Sequence, residues 1–401
     1  MAKRRFELVE GASSKFWEID VEGATFTVTY GRIGTAGVSK ATPCASPAEA
    51  AAQAEKLIRE KTKKGYQEPA SGETNWRPPP HYPTEEHVER FLNYKVTGFD
   101  PEADGEGGDD GELRSFPRLR DLDKRAFRVG ISYDDGESAF TDRLTALLAD
   151  EKVGQLRALV LGQWFSETCD EAPAFIAQLA AAGSKLGALE GIFAGDVIQE
   201  EHEISWLQQG DYAPLLHALP RLHTLVVRGG NGLRFQGLKH AGLRSLTVQS
   251  GGLGQVTLRD ILAADLPELR ELILWLGVDG YGGDYQIADL APLLEGGIFP
   301  KLEHLGLQNS DRQDAIAKAV AASPLVGRLK GLDLSMGTLS DEGGEALAAS
   351  PSIRGLKHLN LRHHYLSPAA MKRIKATGVE VDLSDREEGE DEDDRYAEVT
   401  E

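Results

Sequence analysis

The pattern Leu-x-x-Leu-x-Leu, with Ile192, Ala194, Val227 and Val248 standing in for leucine, begins at Leu156, Leu189, Leu222, Leu243, Leu269, Leu302, Leu329 and Leu356. Successive starts lie 33, 33, 21, 26, 33, 27 and 27 residues apart, about the length of one strand plus one returning helix in a stacked repeat. Period-two apolar residues fix a strand in each copy. Helix-period runs between copies, such as residues 314–320, can cover the same layer of core as the leucines. Such a chain is expected to place parallel strands side by side on one face and helices on the other.

The other bounds come from charge and cysteine. The chain has 401 residues, 41% of them hydrophobic, and a formal charge of -20. That balance argues against nonspecific polyanion binding by the molecule as a whole, although a local basic patch can still act within the roughly 10 Å that salt leaves unscreened. No run approaches the ~18 apolar residues of a membrane span, and the first residues form no apolar secretory core. A cytoplasmic protein is the expectation. Cys44 and Cys169 are too few for a disulfide framework or a cysteine metal site, so reduced thiols are expected.

Residues 1–68 read as a separate unit. Four alternating segments, at 6–9, 16–21, 25–32 and 38–41, predict a small antiparallel sheet. A helix should follow, with Ser46 as N-cap, Pro47 in its first turn, Glu49 completing a capping box and Gly65 ending it. Its apolar face is Ala51, Ala54, Leu57 and Ile58, while Lys56, Arg59, Lys63 and Lys64 form a basic stripe. This unit has eleven Lys or Arg against nine Asp or Glu, a balance of +2, which leaves -22 for the remainder.

Lys15-Phe16-Trp17-Glu18-Ile19, Tyr30-Gly31-Arg32-Ile33-Gly34, Ser46-Pro-Ala-Glu-Ala50 and Lys61-Thr-Lys-Lys-Gly65-Tyr66 together resemble the WGR domain of poly(ADP-ribose) polymerases and several bacterial proteins. Tyr30 stands where the family has Trp. The resemblance implies a nucleic-acid contact through Tyr30, Arg32 and the stripe Lys56, Arg59, Lys63 and Lys64, by stacking on a base or sugar and by phosphate neutralisation. The plainer readings are an ordinary strand aromatic, an arginine fastening a turn and a solvated helix face.

Residues 69–112 read as a Pro-rich and acidic linker containing one helical stretch at 85–94. From 113 to 384 the repeats resemble a divergent leucine-rich repeat solenoid. Its helices are expected at 141–148, 172–182, 212–219, 258–264, 287–294, 314–322, 341–349 and 368–376, with a last strand at 379–383. The ninth repeat position, usually Asn or Cys in that family, holds Trp164, Val197, Gly230, Gly251, Gly277, Ser310, Gly337 and His364. The whole arrangement is similar to bacterial repeat proteins of the STM4015 type. The fold class is therefore α/β: a small antiparallel sheet with its helix, then a solenoid of parallel strands and outer helices.

The repeat register places Val160, Phe193, Val226, Thr247, Ile273, Gly306, Asp333 and Asn360 in one outward column. Gly162, Gly195, Arg228, Gln249, Trp275, Gln308, Ser335 and Arg362 form the next. An exposed surface around Phe193, Arg228, Ile273, Trp275, Tyr281 and Tyr285 has the aromatic anchors that a protein partner needs. Alternatively, the linker or the first unit covers it in cis. Residues 385–401 hold ten acidic and two basic side chains and are expected to be disordered.

Motifs of chemistry are missing. His202 has no second histidine at zinc-helix spacing, His363 and His364 follow a repeat strand, and residues 251–254 lack the spacing of a dinucleotide site. No metal, cofactor, catalytic residue or converging polar pocket is expected. The expectation is a non-catalytic adaptor with a nucleic-acid contact in the first unit and a protein partner on the second, or else a scaffold for proteins alone.

Overall fold

A computed structural model describes residues 4–10, 13–32, 38–66, 79–103, 114–136, 138–166, 169, 172–389 and 394–400. The chain divides into two compact units, Met1–Arg77 and Pro78–Glu401. Among the described residues no helix is long and apolar enough to cross a membrane.

In the first unit, β1 (Arg4–Glu10), β2 (Ser13–Glu22), β3 (Thr25–Arg32) and β4 (Val38–Pro43) pair antiparallel in chain order, and α1 (Pro47–Lys63) follows. Alternation puts Trp17, Ile19 and Val21 on one face of β2. They pack with Phe6 and Phe26 against Ala50, Ala54 and Ile58 of α1. The two alanines keep that helix face small enough for close approach. Leu57 packs at the edge of this core, and Ala51 is half-buried. Ser46 Oγ accepts from Glu49 N at 3.2 Å, while the Glu49 carboxylate reaches back to Ala45 N at 2.9 Å. Gly65 closes the helix in the left-handed region at φ +87, where a side chain would be strained.

The second unit is built on a single large sheet. Its strands are β5 (Arg90–Phe91), β6 (Tyr94–Phe99), β7 (Ser115–Phe116), β8 (Arg125–Val129), β9 (Ala158–Leu161), β10 (Gly191–Ala194), β11 (Thr224–Arg228), β12 (Ser245–Gln249), β13 (Glu271–Gly277), β14 (His304–Ser310), β15 (Gly331–Asp333), β16 (His358–Asn360) and β17 (Glu380–Asp382). From β8 to β17 each pairs with its chain neighbours in parallel, β6 extends the sheet beside β8 in parallel, and β5 closes that end antiparallel. The protein is thus mixed α/β, with a small antiparallel and a large, mostly parallel sheet and, among the described residues, no closed barrel.

Helices α2 (Ala139–Ala149), α3 (Phe175–Ala181), α4 (Ala213–Ala218), α5 (Gln255–Leu262), α6 (Ala291–Leu294), α7 (Gln313–Ala321), α8 (Asp341–Ala349) and α9 (Pro368–Lys375) lie between strands. Their apolar sides meet the repeat leucines in one continuous core, Leu159 and Leu161 through Leu359 and Leu361. On the opposite side of the sheet, Val160, Phe193, Val226, Thr247, Ile273, Gly306, Asp333 and Asn360 stand in register across eight strands.

Three expectations need correction. Residues 85–94 are no helix: Leu92 and Asn93 both take positive φ, 49 and 67, forming the two-residue turn that joins β5 to β6. Residues 79–103 therefore belong to the sheet-bearing unit and are no linker. The acidic end is also placed where it is described. Residues 394–400 carry Val399, 8% exposed, into a cluster with Ile204, Ile273, Trp275 and Met336, because one aliphatic side chain between acids suffices to fill an apolar socket.

Candidate functional site

Two surfaces hold the residues singled out in the sequence. In the first unit, Tyr30 is 49% exposed and stands opposite Trp17 in the β2–β3 register, with Arg32 opposite Lys15. Trp17 is buried, so the sheet positions the exposed tyrosine beside a fixed indole. The Lys61 ammonium lies 5.7 Å from the Trp17 ring centre and 4.8 Å from that of Tyr66, within cation–π range. Burial, then the charges of Lys64 and Lys15, holds the Lys61 pKa below its ordinary value. Lys15 and Lys64 thus act on the Lys61 ammonium, which lies over the Trp17 ring, and Trp17 is the strand partner of Tyr30; an anion near Lys61 would relieve the repulsion. Lys56, Arg59, Lys63 and Lys64 are exposed on or just beyond α1, and Arg59 is turned back onto the Glu55 carbonyl at 3.3 Å. Of this stripe, Lys64 shares the field of Lys61. The side chain of Arg32 lies outside the described residues.

Lys61 was missed as a site residue because it falls off the 56/59/63 face of the helix. Its signal was the closing segment Lys61-Thr-Lys-Lys-Gly65-Tyr66.

The second surface differs from expectation. Phe193, Arg228, Trp275 and Tyr285 are all 1% exposed or less, and Ile273 is 9% exposed. They are not free anchors for a partner. Residues 79–91 cross the sheet face in cis: Tyr82 meets Phe193 edge-on at 5.2 Å, Phe91 lies 6.0 Å from the same ring, and His81 lies 6.4 Å from Trp275. A row of apolar side chains on an open sheet face demands a cover, and the nearest aromatic segment of the same chain supplies it. Tyr281 is half-buried, and the Tyr285 hydroxyl pairs with Ser310 Oγ at 2.7 Å.

Arg228 secures this strap. Its guanidinium donates to Pro83 O at 2.7 Å, Val197 O at 2.8 Å and Gln249 Oε1 at 3.0 Å, and lies 5.3 Å from the Phe193 ring centre. Burial lowers its pKa to about 10, so it stays charged. Beside it, Asp196 accepts from Val88 N at 3.1 Å and Arg128 Nε at 2.8 Å. His87 lies between Asp196 at 3.4 Å and Glu201 at 3.2 Å. Burial works against the charged imidazole, but the two carboxylates lift its pKa to about 9. Burial also opposes ionisation of Asp196, yet His87 and Arg128 hold it near 2.

Between the strap and β12–β17 lies a cavity of about 380 Å³. Gly306 leaves room in the column where its neighbours carry Ile273 and Asp333. One wall is a chain of hydrogen bonds, Trp275 Nε1 to Gln308 to Ser335 to Asp333, at 3.0, 3.0 and 2.6 Å; Asn360 also donates to Asp333 at 2.8 Å. Converging polar groups of this kind were not expected. They occupy equivalent positions on strands far apart in sequence, so no local motif announces them. Among the described residues no cluster of three His, Cys, Asp or Glu could hold a metal ion.

Residues 2–73 match the WGR domain. Over 66 residues the chain is 41% identical to the uncharacterized protein YfeS of Escherichia coli (strain K12), a stretch covering 16% of this chain and 27% of YfeS. The chain thus spans about a quarter of that relative's length. The crystal structure of a protein from Bacteroides fragilis, a structural genomics target, is similar over 99% of both chains, with 30% identity and a TM-score of 0.62. The chain belongs to the family of that Bacteroides fragilis protein. Its WGR domain is a module that binds nucleic acid in some proteins, and among its described residues Tyr30 supplies an exposed ring paired across the sheet with Trp17, over which Lys61 lies.

Proposed function

We propose that this protein is a non-catalytic adaptor in which the WGR domain contacts nucleic acid and the larger unit, a divergent leucine-rich repeat solenoid, holds a protein. The observation that carries the first half is the exposed Tyr30 paired across the sheet with Trp17, over whose ring lies Lys61 in the field of Lys64 and Lys15. An aromatic ring stacks on any base, at about 1 to 3 kcal/mol each, while a few cations neutralise neighbouring phosphates. With an excess charge of +2 in residues 1–68, the contact is modest in affinity and sensitive to salt. The solenoid reading is supported by a strand order that follows the chain from β8 to β17, with a helix or 3₁₀ turn returning between all neighbours except β11 and β12.

The test is fluorescence anisotropy of labelled single-stranded and blunt duplex DNA with the full chain, across about 50 to 200 mM salt. Binding that weakens with salt, and that drops severalfold in Tyr30→Ala and Lys61→Glu, supports the reading. Indifference to both substitutions removes the nucleic-acid half and leaves the alternative, a scaffold for proteins alone.

A further inference from the structure

Strand-end residues Asn309, Met336 and His363 have φ of +58, +68 and +57. None is glycine, so each holds a conformation that L side chains rarely adopt. The three hold the same place in successive repeats, 27 residues apart: Asn309 near the end of β14, Met336 and His363 just past β15 and β16. All three touch the same segment, residues 394–400. The Asn309 side chain reads both sides of one residue: Oδ1 accepts from Val399 N at 2.9 Å, and Nδ2 donates to Val399 O. Met336 O accepts from Glu398 N at 2.9 Å. His363 Nε2 lies 3.1 Å from Tyr396 O, and the two rings meet edge-on at 5.4 Å.

Besides the Tyr396 ring, which meets His363 and Tyr365 edge-on, two side chains of the segment are gripped. The Arg362 guanidinium takes the Glu398 carboxylate with both oxygens, at 2.6 and 2.5 Å, and Val399 enters the socket of Ile204, Ile273, Trp275 and Met336. Gly251 makes the path possible, since a Cβ there would overlap the Thr400 carbonyl. A track that holds main-chain atoms, with one charged clamp and one apolar socket, is the general form of a receptor for an extended peptide.

We propose that this track is a peptide-binding site, and that residues 396–399 are an internal mimic of its ligand. The ligand is an extended segment of another protein in which an acidic residue is followed by an aliphatic one, with an aromatic residue two positions before the acid. The proposal rests on the protein-binding half of the function proposed above and names where that partner docks. The tethered segment competes at the millimolar effective concentration of a short connection, which weakens the apparent affinity for any free peptide.

The experiment uses the full chain and the labelled peptide Tyr-Ala-Glu-Val-Thr-Glu. Val399→Asp should eject the internal segment, shown by fast amide exchange at residues 396–399 with the sheet amides still protected. It should then bind the free peptide at least tenfold more tightly than the wild type does. Adding Arg362→Ala should abolish that binding. Should Val399→Asp fail to fold, Glu398→Lys releases the segment from Arg362 at the protein's edge and is read in the same way. Fast exchange of the segment without gain of peptide binding would overturn the proposal, leaving these residues as a closure of the fold. A partner that binds wild type and Arg362→Ala equally would also sink it, while leaving the adaptor reading intact.

Discussion

The Arg228 guanidinium donates to the carbonyl of Pro83 at 2.7 Å across 145 residues of sequence. This bond fastens the strap to the sheet from beneath, and its donor is 1% exposed. Replacing Arg228 by Met preserves much of the apolar contact with Phe193 but strands the carbonyls of Pro83 and Val197. Arg228→Met is expected to lower unfolding free energy by about 2 to 4 kcal/mol, at about 1 kcal/mol or more per orphaned group. Urea unfolding checks this, and a loss below 1 kcal/mol would mean that the strap is held by its aromatic rings alone.

Stability should depend on pH through His87 and Asp196. The folded pKa of His87, about 9, lies above its ordinary 6.5, so its contribution is full below 6.5 and is lost as pH rises through 9. Asp196, near 2 against an ordinary 3.8, contributes fully above 3.8 and loses that contribution as pH falls through 2. Unfolding free energy is therefore expected to fall between pH 7 and 9 with a slope of at most about 1.4 kcal/mol per pH unit for this one proton. In His87→Gln the slope over that interval should flatten; an unchanged slope would assign the loss to other groups.

Gly277 ends β13 with φ +65, and a Cβ there would run into the Gly251 carbonyl. Both contacts are backbone, so relief requires two loops to separate. Gly277→Ala should cost about 2 kcal/mol or more from left-handed strain and displacement together. Calorimetry giving a change under 0.5 kcal/mol would show that the loop after β13 yields freely.

On the WGR domain, Lys15→Gln and Lys64→Gln should each reduce the slope of log affinity against log salt by about 1 if each cation meets a phosphate. The same substitutions should raise the Lys61 pKa, because both neighbours now hold it down. Nitrogen-detected NMR titration of the Lys61 ammonium reads that second effect without any DNA.

The register of the large sheet was legible because a period of two cannot be shifted by one residue without exposing every leucine. The row from Val160 to Asn360 followed directly, as did Arg228 opposite Gln249 and Trp275 opposite Gln308. Helix α8 was legible to the residue, since Ser340 caps it by accepting from Glu342 N at 3.3 Å and Asp341 and Glu342 begin its first turn. What covers the sheet was harder to read. Pro79-Pro80-His81-Tyr82-Pro83 has the composition of a spacer, and only the unmatched apolar row beneath it shows that Tyr82 is wanted there. In the acidic end, Tyr396 and Val399 were the signal, outweighed in any compositional average by the carboxylates around them. In the first unit the stripe was judged by helical spacing alone, whereas the field around Tyr30 depends on Lys15 of β2, a partner that no helical wheel includes.

From β8 to β17 each strand pairs with its neighbours in the chain, and a sheet of that kind ordinarily frays from either end, strand by strand. Here Tyr82 and Pro83 bind β12 and β11 across 167 and 145 residues respectively, and Val399 binds the end of β14 across 90. The two extremities of the unit are therefore laced over its middle. Neither end can peel away without first giving up contacts to strands that are still intact, so the stack behaves less like a zipper than like a closed book, opening all at once or not at all.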